Sequence, residues 1–489
     1  MSKNKKHKIG IYWLRNDLRL HDNETLHRAI SECETILPVF CLEPTQYQML
    51  DIGFRKTGIR RFRFLTECLN NLKENLQEKD SELLIVSGEV DTTLPELVKK
   101  YKVEKVYAQK EIASEETTVE SAVAKNLANQ QIDLELVWGK TMYHLEDIPY
   151  KPADIPFTFK AFRVNVSKAT TVRSPFPTPK KIPTIKLRDW GSLPTASELG
   201  FTEIEQAEPI QEKYHGGEKA ALERLQYYTF DSELLTSYKW TRNRSLGMDY
   251  SSKFSPWMAY GCLSPRKIYH TVKEYEESVK KNISTWWLVF EVIWRDFFKF
   301  QGLRFGNLMF AEGGIRQRKT DWKYDQDLFQ RWKNGNTGVP FLDAHMKELN
   351  QTGFMSNRGR VNAASFLARD YQIDWRWGAA WFENRLLDYD VCSNWLNWNS
   401  QAMEIWYTNP VHQAMKYDKK GEYTLSWLPE LANLPEPLFH APWLLSKDDL
   451  KKYSVENYTP PIEVYKKWGR SIENIKKATD ALLKLEFKE

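Results

Sequence analysis

The sequence is poor in cysteine and has no long apolar segment. Its five cysteines, among 489 residues, form no Cys-x-x-Cys pair. We therefore expect reduced thiols in a cytoplasmic protein, with neither a disulfide framework nor a structural zinc site. The first apolar run, residues 9–14, is too short for a signal peptide or a membrane span. A secreted or membrane protein is not expected, and no metal site is predicted.

The chain also lacks a strong excess of one charge. It has 70 Lys and Arg against 65 Asp and Glu, a formal net charge of +5. Because nucleic-acid binding depends on local basic patches, this balance neither requires nor excludes such a partner. No Gly-x-Gly-x-x-Gly follows the first predicted strand at residues 8–14, so a dinucleotide fingerprint is absent.

Tryptophan, by contrast, is abundant and unevenly placed. Of the 19 tryptophans, only Trp13, Trp138 and Trp190 precede residue 200. Because an indole ring is bulky and its N–H needs a partner, we expect most of them in a large aromatic core. Their concentration after residue 200 leaves open whether a few of these rings carry chemistry.

The order of predicted elements indicates two structural classes in one chain. Strands alternate with helical patterns up to about residue 140, which is typical of a doubly wound parallel sheet. Eight prolines interrupt residues 149–194, and helical periodicity resumes after residue 216. We therefore predict an α/β domain at residues 1–140, a linker at 141–215 and an all-helical domain at 216–489.

Hydroxyl and cationic side chains cluster at residues 241–256, before a helical run. Serine hydroxyls, backbone N–H groups at a helix start and a lysine suit a bound pyrophosphate. A serine-rich helix cap with solvated basic residues explains the same pattern. Both interpretations stay open at this point.

Two aspartates, Asp388 and Asp390, bracket a single residue. Such a pair can accept hydrogen bonds from a ring imide and a sugar hydroxyl, and Arg360 is suited to hold one carboxylate in place. Asn394 is neutral, so its amide can contact a redox-active nitrogen in either protonation state. An ordinary helix end bounded by aspartate is the alternative.

Seven ordered motifs resemble the photolyase/cryptochrome family of flavoproteins, most closely its cryptochrome DASH branch. They are the segments 13–19, 249–256, 261–266, 290–298, 352–360, 374–376 and 388–398. The resemblance covers nearly the whole chain. It implies an α/β domain followed by a helical domain that binds FAD.

The resemblance also implies which residues hold FAD. By this resemblance, the FAD phosphates would contact Tyr238, Ser251, Ser252, Lys253 and Ser255. Asp388 and Asp390 would bind the isoalloxazine and ribose side, with Arg360 supporting Asp388. Asn394 would face the flavin N5.

Three tryptophans match the electron-transfer chain of the family. They are Trp398, Trp375 and Trp322, in order from flavin to surface. Indole is oxidisable and stepwise hops need neighbouring aromatic rings, so the assignment agrees with the chemistry. Core packing is the alternative for each ring, and it competes best for Trp322, because that end of the chain varies.

The family repairs pyrimidine dimers by flipping the lesion beside FAD, where a photoexcited reduced flavin donates an electron. By resemblance, Trp294 would stack on the lesion, Glu291 would bind the pyrimidine edge and Asn357 would be a third contact. The alternative, one face of a core helix, would leave a buried glutamate that needs a partner. Ser356 and Asn357 replace the two histidines of six-four photoproduct enzymes, so that substrate is not expected.

The segment after Trp398 departs from the family pattern, being several residues shorter. Ser400 stands where photolyases carry a second lesion-stacking aromatic, with Trp406 and Tyr407 as the nearest substitutes. This departure weakens the prediction of duplex repair and leaves the prediction of FAD binding intact.

The family also carries an antenna chromophore. Glu115 follows the predicted strand at residues 105–108, where folate-binding members of the family place a glutamate, and it is the candidate folate contact. The candidate antenna is 5,10-methenyltetrahydrofolate. A charged helix N-terminus explains this residue equally well. The expected partner is dimer-containing single-stranded DNA, bound by a monomer; RNA and a signalling protein are further candidates.

Three functions follow from these observations. The first is a light-driven lyase acting on cyclobutane pyrimidine dimers, mainly in single-stranded DNA, and Glu291 and Trp294 favour it. The second is a non-repairing blue-light photoreceptor that signals through flavin redox state, favoured by the shortened segment. The third is a dark flavin-binding remnant, which the intact residues of the predicted flavin site disfavour.

Overall fold

The computed structural model describes residues 6–209, 213–404 and 407–486. Each of its two compact units is built from several chain segments. Unit 1 comprises residues 1–239, 252–309 and 387–396, and unit 2 comprises residues 240–251, 310–386 and 397–489. The domain boundaries predicted near residues 140 and 215 stay predictions.

Unit 1 contains a parallel five-stranded sheet. The strands are β1 (His7–Leu14), β2 (Cys33–Leu42), β3 (Leu84–Ser87), β4 (Lys105–Gln109) and β5 (Asp133–Val137). Their order is β3-β2-β1-β4-β5. In the central strand β1, the buried Ile11 pairs with Leu37 on one side and Val106 on the other. This topology confirms the predicted doubly wound sheet.

Twenty α-helices lie in the described part of the chain. They are α1 (Glu24–Glu32), α2 (Ile59–Gln77), α3 (Val90–Tyr101), α4 (Ser114–Ala128), α5 (Phe159–Ala169), α6 (Glu203–Gln206), α7 (Glu218–Gln226), α8 (Tyr238–Thr241), α9 (Ser255–Ala259), α10 (Pro265–Ser278), α11 (Ile283–Phe305), α12 (Gln326–Lys333), α13 (Pro340–Thr352), α14 (Asn357–Ser365), α15 (Trp375–Arg385), α16 (Val391–Asn399), α17 (Pro410–Tyr417), α18 (Glu422–Trp427), α19 (Lys447–Lys452) and α20 (Gly469–Glu486). Three π-helical segments, Tyr227–Asp231, Phe366–Asp370 and Ser400–Glu404, extend α7, α14 and α16.

The helical second half of the chain confirms the predicted class. Helix α14 begins at residue 357, where the Ser356 side chain caps it, ahead of the apolar residues that start at Val361. Helix α15 begins at residue 375, directly after its capping residue Asp374. In both cases a polar residue ahead of the apolar pattern sets the start.

Helix α5 was not predicted, because it lies inside the proline-rich segment. Thr158 caps it, and its buried residues Phe159, Phe162 and Val166 follow helical spacing. None of the described helices is both long and apolar enough to cross a membrane. All five cysteines are buried and unpaired by disulfides.

Candidate functional site

The predicted site residues fall in both units. Unit 1 holds Tyr238, Ser252, Lys253, Ser255, Asp388, Asp390, Asn394, Glu291, Trp294 and Glu115, and unit 2 holds Ser251, Arg360, Asn357, Trp375, Trp398 and Trp322. Each unit has its own arrangement of charges and rings.

Asp390 is anchored firmly in unit 1. Its Oδ2 forms an ion pair with Lys299 Nζ and lies 4.0 Å from Arg295 Nη2. Its Oδ1 accepts a 2.9 Å hydrogen bond from the Ser393 N–H. Burial alone raises the pKa of Asp390, but Lys299 and Arg295 outweigh burial and hold this pKa well below its usual range. The side chain is therefore a permanent anion in a fixed position.

Sequence reasoning missed Lys299, which is buried on α11 within the run Phe297–Phe300. The signal was available, because a lysine inside an aromatic run needs an anionic partner to offset the loss of water. A second buried ion pair in unit 1, also missed, joins Lys140 Nζ to Glu111 Oε1 at 2.6 Å.

Helix α16 starts directly after Asp390. The Asn394 N–H donates to the Asp390 carbonyl at 2.8 Å, which forms the first turn. Asn394 and Asp388 are both buried. Trp398 follows Asn394 by four residues, so one face of α16 carries the predicted flavin-facing amide and the predicted first electron donor.

The predicted phosphate segment centres on Lys253, a buried residue with a left-handed backbone, φ 60°. A non-glycine residue at positive φ is uncommon, and such positions concentrate at functional sites. Ser252 and Ser255 on either side are half-buried, and Tyr238 is buried. Arg224 Nε holds the Ser252 carbonyl at 3.1 Å. A lysine flanked in the sequence by two serines suits an anionic ligand, and the phosphate contacts stay a prediction.

Trp294 lies on α11 and is packed against α5. The Phe159 ring stacks on it with centroids 3.6 Å apart and an interplanar angle of 10°, and Phe298 lies at 5.6 Å. One face of the indole is therefore covered by the protein, a packing role that the sequence does not show. Glu291, nearly one turn earlier, is half-buried. The lesion contacts of Glu291 and Trp294 stay predictions.

Glu115 lies in the first turn of α4 and forms an ion pair with Lys56. Its side chain is 64% exposed. An acidic group at this position is favoured by the helix dipole, so the geometry accounts for Glu115 without a ligand. The folate contact stays a prediction.

In unit 2, the predicted polar residues flank the start of α14. Arg360 Nε donates to the Met355 carbonyl at 2.9 Å. Asn357 is exposed at the first position of the helix, directly after the capping residue Ser356. Ser251 is half-buried. The exposed amide of Asn357 is open to a ligand, and its lesion contact stays a prediction.

Trp398 packs against α15 at Gly378. A Cβ built on Gly378 would lie 2.2 Å from Trp398 Cη2, so only glycine allows this approach. Trp375, one turn earlier on α15, is fully buried, and its indole N–H donates to the Glu312 carbonyl at 3.0 Å. The first two predicted members of the electron-transfer chain therefore meet the same turn of α15.

Trp322, the third predicted member, precedes Lys323, whose backbone is hydrogen-bonded to the segment just before Trp375. The Lys323 N–H donates to the Gln372 carbonyl at 2.8 Å, and the Asp374 N–H donates to the Lys323 carbonyl at 3.2 Å. The structure thus brings all three tryptophans into one region of unit 2. Their role in electron transfer stays a prediction.

After α16 the chain continues through the π-helical Ser400–Glu404. Trp406, one of the two substitutes for the second lesion-stacking aromatic, lies outside the described residues. The Tyr407 hydroxyl donates to Asp370 Oδ1 at 2.9 Å and accepts from the Trp468 indole N–H at 2.7 Å. Tyr407 is therefore fixed by hydrogen bonds inside unit 2.

Comparison with known families agrees with this architecture. A model of the FAD-binding domain of DNA photolyase matches residues 287–479, and a DNA photolyase model matches residues 10–180. The parallel sheet and the helical FAD-binding region therefore define a photolyase-type flavoprotein.

Individual relatives narrow the class. The chain is 45% identical to the cryptochrome DASH of Natronomonas pharaonis over 93% of this chain and 97% of that protein. The crystal structure of a Synechocystis cryptochrome aligns with a TM-score of 0.90 at 42% identity, covering 97% of this chain and all of that one. A class III photolyase from Agrobacterium tumefaciens aligns with a TM-score of 0.82 at 26% identity, covering 99% of each. The chain belongs to the photolyase/cryptochrome family, in its cryptochrome DASH branch.

Proposed function

We propose that this protein splits cyclobutane pyrimidine dimers in single-stranded DNA, using light and reduced FAD. The observation that carries the proposal is α16, which starts at the fixed anion Asp390 and carries Asn394 and Trp398 on one face. A permanent charge, a neutral amide and an oxidisable ring are the groups that a redox-active ring system needs.

The residues present fit FAD. Lys253 and the hydroxyls of Ser252 and Ser255 suit the phosphates, because ammonium and hydroxyl groups donate hydrogen bonds to phosphate oxygens. Asp390 suits a sugar hydroxyl, since its carboxylate is held ionised. When bound, reduced FAD supplies the electron that cleaves the dimer after absorbing light.

The protein residues have distinct parts in this reaction. Glu291 would hydrogen-bond the pyrimidine edge, and the face of Trp294 away from Phe159 would stack on the flipped base. Asn357, exposed at the start of α14, would contact the same lesion. Trp398 would restore reduced flavin by giving up an electron, with Trp375 and Trp322 refilling it.

The alternative is a blue-light photoreceptor that signals through flavin redox state without repair. Ser400 in place of a stacking aromatic favours it, as does Phe159, which already covers one face of Trp294. In that case RNA or a signalling protein is the partner, and the flavin residues keep their places.

The deciding experiment is dimer repair by the FAD-loaded, reduced protein under blue light, on single-stranded and duplex oligonucleotides in parallel. We expect repair of the single strand and little of the duplex. The isosteric Glu291→Gln should lower single-strand repair, whereas Glu115→Gln should leave it unchanged in a protein without antenna. Repair of neither substrate would refute the lyase and favour the photoreceptor.

Photoreduction is tested separately. Trp398→Phe should abolish light-driven reduction of oxidised FAD, and pre-reduced Trp398→Phe should still repair dimers. Unchanged photoreduction kinetics would contradict the place of Trp398 as first donor.

The antenna contact has its own test. Binding of 5,10-methenyltetrahydrofolate is compared between Glu115→Gln and the native protein.

A further inference from the structure

Aromatic side chains form a continuous row along helix α11 in unit 1. The Trp286 and Phe290 ring centroids lie 5.0 Å apart, and those of Phe290 and Trp294 lie 6.5 Å apart. Phe159, from α5, meets the Phe290 ring edge-on at 5.1 Å and stacks on Trp294. We name these four rings the aromatic ladder. It leads from Trp294, the proposed lesion contact, to the start of α11.

The far end of the aromatic ladder is exposed to solvent. Trp286 is 41% exposed, and Ile283, three residues earlier on the same helix, is 48% exposed. Residues three apart on a helix are neighbours, so both side chains belong to one face of α11. A single exposed apolar residue is normal in a soluble protein, whereas a patch that continues a row of rings indicates a binding surface.

Helix α5 adds positive charge beside the aromatic ladder. Arg163 Cζ lies 5.7 Å from the ring centroids of both Trp286 and Phe290. Among the described residues, no carboxylate pairs with Arg163 and no group accepts a hydrogen bond from its guanidinium. The exposed Lys160 lies three residues earlier, and α5 contains no aspartate or glutamate. A guanidinium without a carboxylate partner is suited to phosphate oxygens.

The combination of exposed rings and unpaired cations fits a single nucleic-acid strand better than an apolar protein surface. An apolar surface would cover Trp286 but leave the Arg163 donors without an acceptor, which is unfavourable. A single strand supplies a flat base for the exposed ring and a phosphate for the cation. Stacking aromatics beside basic groups are the means by which single strands are bound without sequence preference.

The length of the aromatic ladder determines which nucleotide it reaches. Trp286 and Trp294 are about two turns apart on α11, or about 12 Å along the helix axis at 1.5 Å per residue. A stacked strand advances about 3.4 Å per nucleotide. Trp286 is therefore within reach of a base about three or four nucleotides away from a lesion at Trp294.

We infer that Trp286 and Arg163 bind the undamaged single-stranded DNA that flanks the dimer. Trp286 stacks on a flanking base, and Arg163 donates hydrogen bonds to a backbone phosphate. The inference rests on the proposed function, because it takes Trp294 as the lesion contact. It also gives a physical reason for a preference for single strands, since a paired base must first be unstacked before its face can meet Trp286.

The first test measures binding of undamaged single strands in the dark, by fluorescence anisotropy of a labelled oligothymidylate with the FAD-loaded protein. Trp286→Ala should weaken binding about tenfold, as for the loss of one stacked base, and Trp286→Phe should restore most of the affinity. Tyr227→Ala is the matched control, because Tyr227 is 40% exposed in unit 1 and also has an arginine, Arg224, over its ring. Native affinity in Trp286→Ala would overturn the inference and assign the patch to a protein partner.

The second test concerns the phosphate contact of Arg163. Arg163→Gln should lower the slope of log affinity against log salt by about 0.7, because one phosphate contact to a single strand is lost. Lys168→Gln is the control, since Lys168 is exposed on a different face of the same helix, and its slope should be native. An unchanged slope in Arg163→Gln would contradict the inference.

The third test locates the contact beside the lesion. Flanks long enough to reach Trp286 should increase the affinity of the native protein for a dimer oligonucleotide, compared with flanks that are too short. Abasic flanks of the same length should lose most of this increase, because they keep the phosphates and lack the base faces. An increase of native size in Trp286→Ala would show that the flank binds elsewhere.

Failure of this inference is separable from failure of the proposed function. No dimer repair, with binding of undamaged strands that depends on Trp286 and Arg163, would refute the lyase and leave the DNA-binding surface standing. Dimer repair with native strand binding in both Trp286→Ala and Arg163→Gln would refute the surface alone.

Discussion

The buried ion pairs of unit 1 contrast with the packing of rings around Trp398 in unit 2. In unit 1 cations stand against anions, as in the pairs Lys299–Asp390 and Lys140–Glu111. In unit 2 neutral rings surround Trp398, and the cations stand over Trp381 instead. A permanent anion needs a fixed opposite charge, whereas a transient radical cation is stabilised by the absence of cations.

Among these predictions, removal of the buried Lys299 ammonium in unit 1 should have the largest effect on the free energy of unfolding. In Lys299→Met the buried Asp390 carboxylate keeps only the Arg295 cation, 4.0 Å away. We expect a loss of about 3–5 kcal/mol in the free energy of unfolding, as for other broken buried ion pairs. Chemical denaturation measures it, with Lys299→Met/Asp390→Asn as the control that should recover much of the loss. Equal unfolding midpoints for Lys299→Met and the native protein would contradict the pairing.

Asp296, on the same helix as Lys299, is the contrasting carboxyl of unit 1. It accepts from the Met142 and Tyr143 N–H groups at 3.0 and 2.9 Å, and burial raises the pKa of Asp296 to about 7. The pKa of Asp296 is higher in the folded state than in the unfolded state. The folded protein therefore binds this proton more tightly, and protonation of Asp296 stabilises the fold at low pH. This stability is lost as the pH rises through about 7, with a slope of up to ~1.4 kcal/mol per pH unit.

The measurement for Asp296 is the free energy of unfolding between pH 5 and pH 8. Asp296→Asn removes the titrating group, so its curve should be flatter than that of the native protein over this range. Parallel curves would show that Asp296 titrates at the same pH in the folded and unfolded states.

In unit 2 one added methyl group can disrupt the close packing of the Trp398 ring on Gly378. Gly378→Ala places a Cβ against the Trp398 ring, which should cost about 1–3 kcal/mol by overpacking and displace the indole. We also expect slower light-driven reduction of FAD. Gly469→Ala is the control, because nothing lies within 4 Å of its added Cβ. Equal stability of the two variants would contradict the close packing of Trp398 on α15.

The smallest effect is expected for a cation of unit 2. Lys333→Met removes the ammonium over Trp381, a contact of about 0.5–1 kcal/mol. Unfolding by denaturant measures the loss, and Lys333→Arg should retain most of the contact. Mass spectrometry after prolonged illumination should find more oxidised Trp381 in Lys333→Met. If Lys333→Met lowered the free energy of unfolding as much as Lys299→Met, the expected difference between the two units would be wrong.

Much of the architecture was predictable because it depends on local patterns. The alternation of strands and helices indicated the doubly wound sheet, and Asp388, Asp390 and Asn394 stood out by spacing alone. Helix α5 was missed because prolines surround it, although the apolar spacing from Phe159 to Val166 is helical. Pattern reading fails there because flanking residues mask a short amphipathic helix.

The contacts between distant side chains were not predictable. Nothing in the spacing shows that Phe159 covers Trp294, or that Lys299 holds Asp390. Lys299 was detectable only as an anomaly, a charge inside an aromatic run. Its partner lies about ninety residues further along the chain, and sequence separation carries no information on that pairing.

The class of fold, the family and the residue types available for flavin chemistry could be read from the chain alone, because hydrophobic periodicity and ordered motifs are local properties of the chain. Which carboxylate stays charged, which indole face is covered and which rings touch became known from the packing. Those outcomes depend on burial and distance, which arise when remote segments pack together. The sixteen tryptophans after residue 200 show both: their number was evident at once, and their order in space was not.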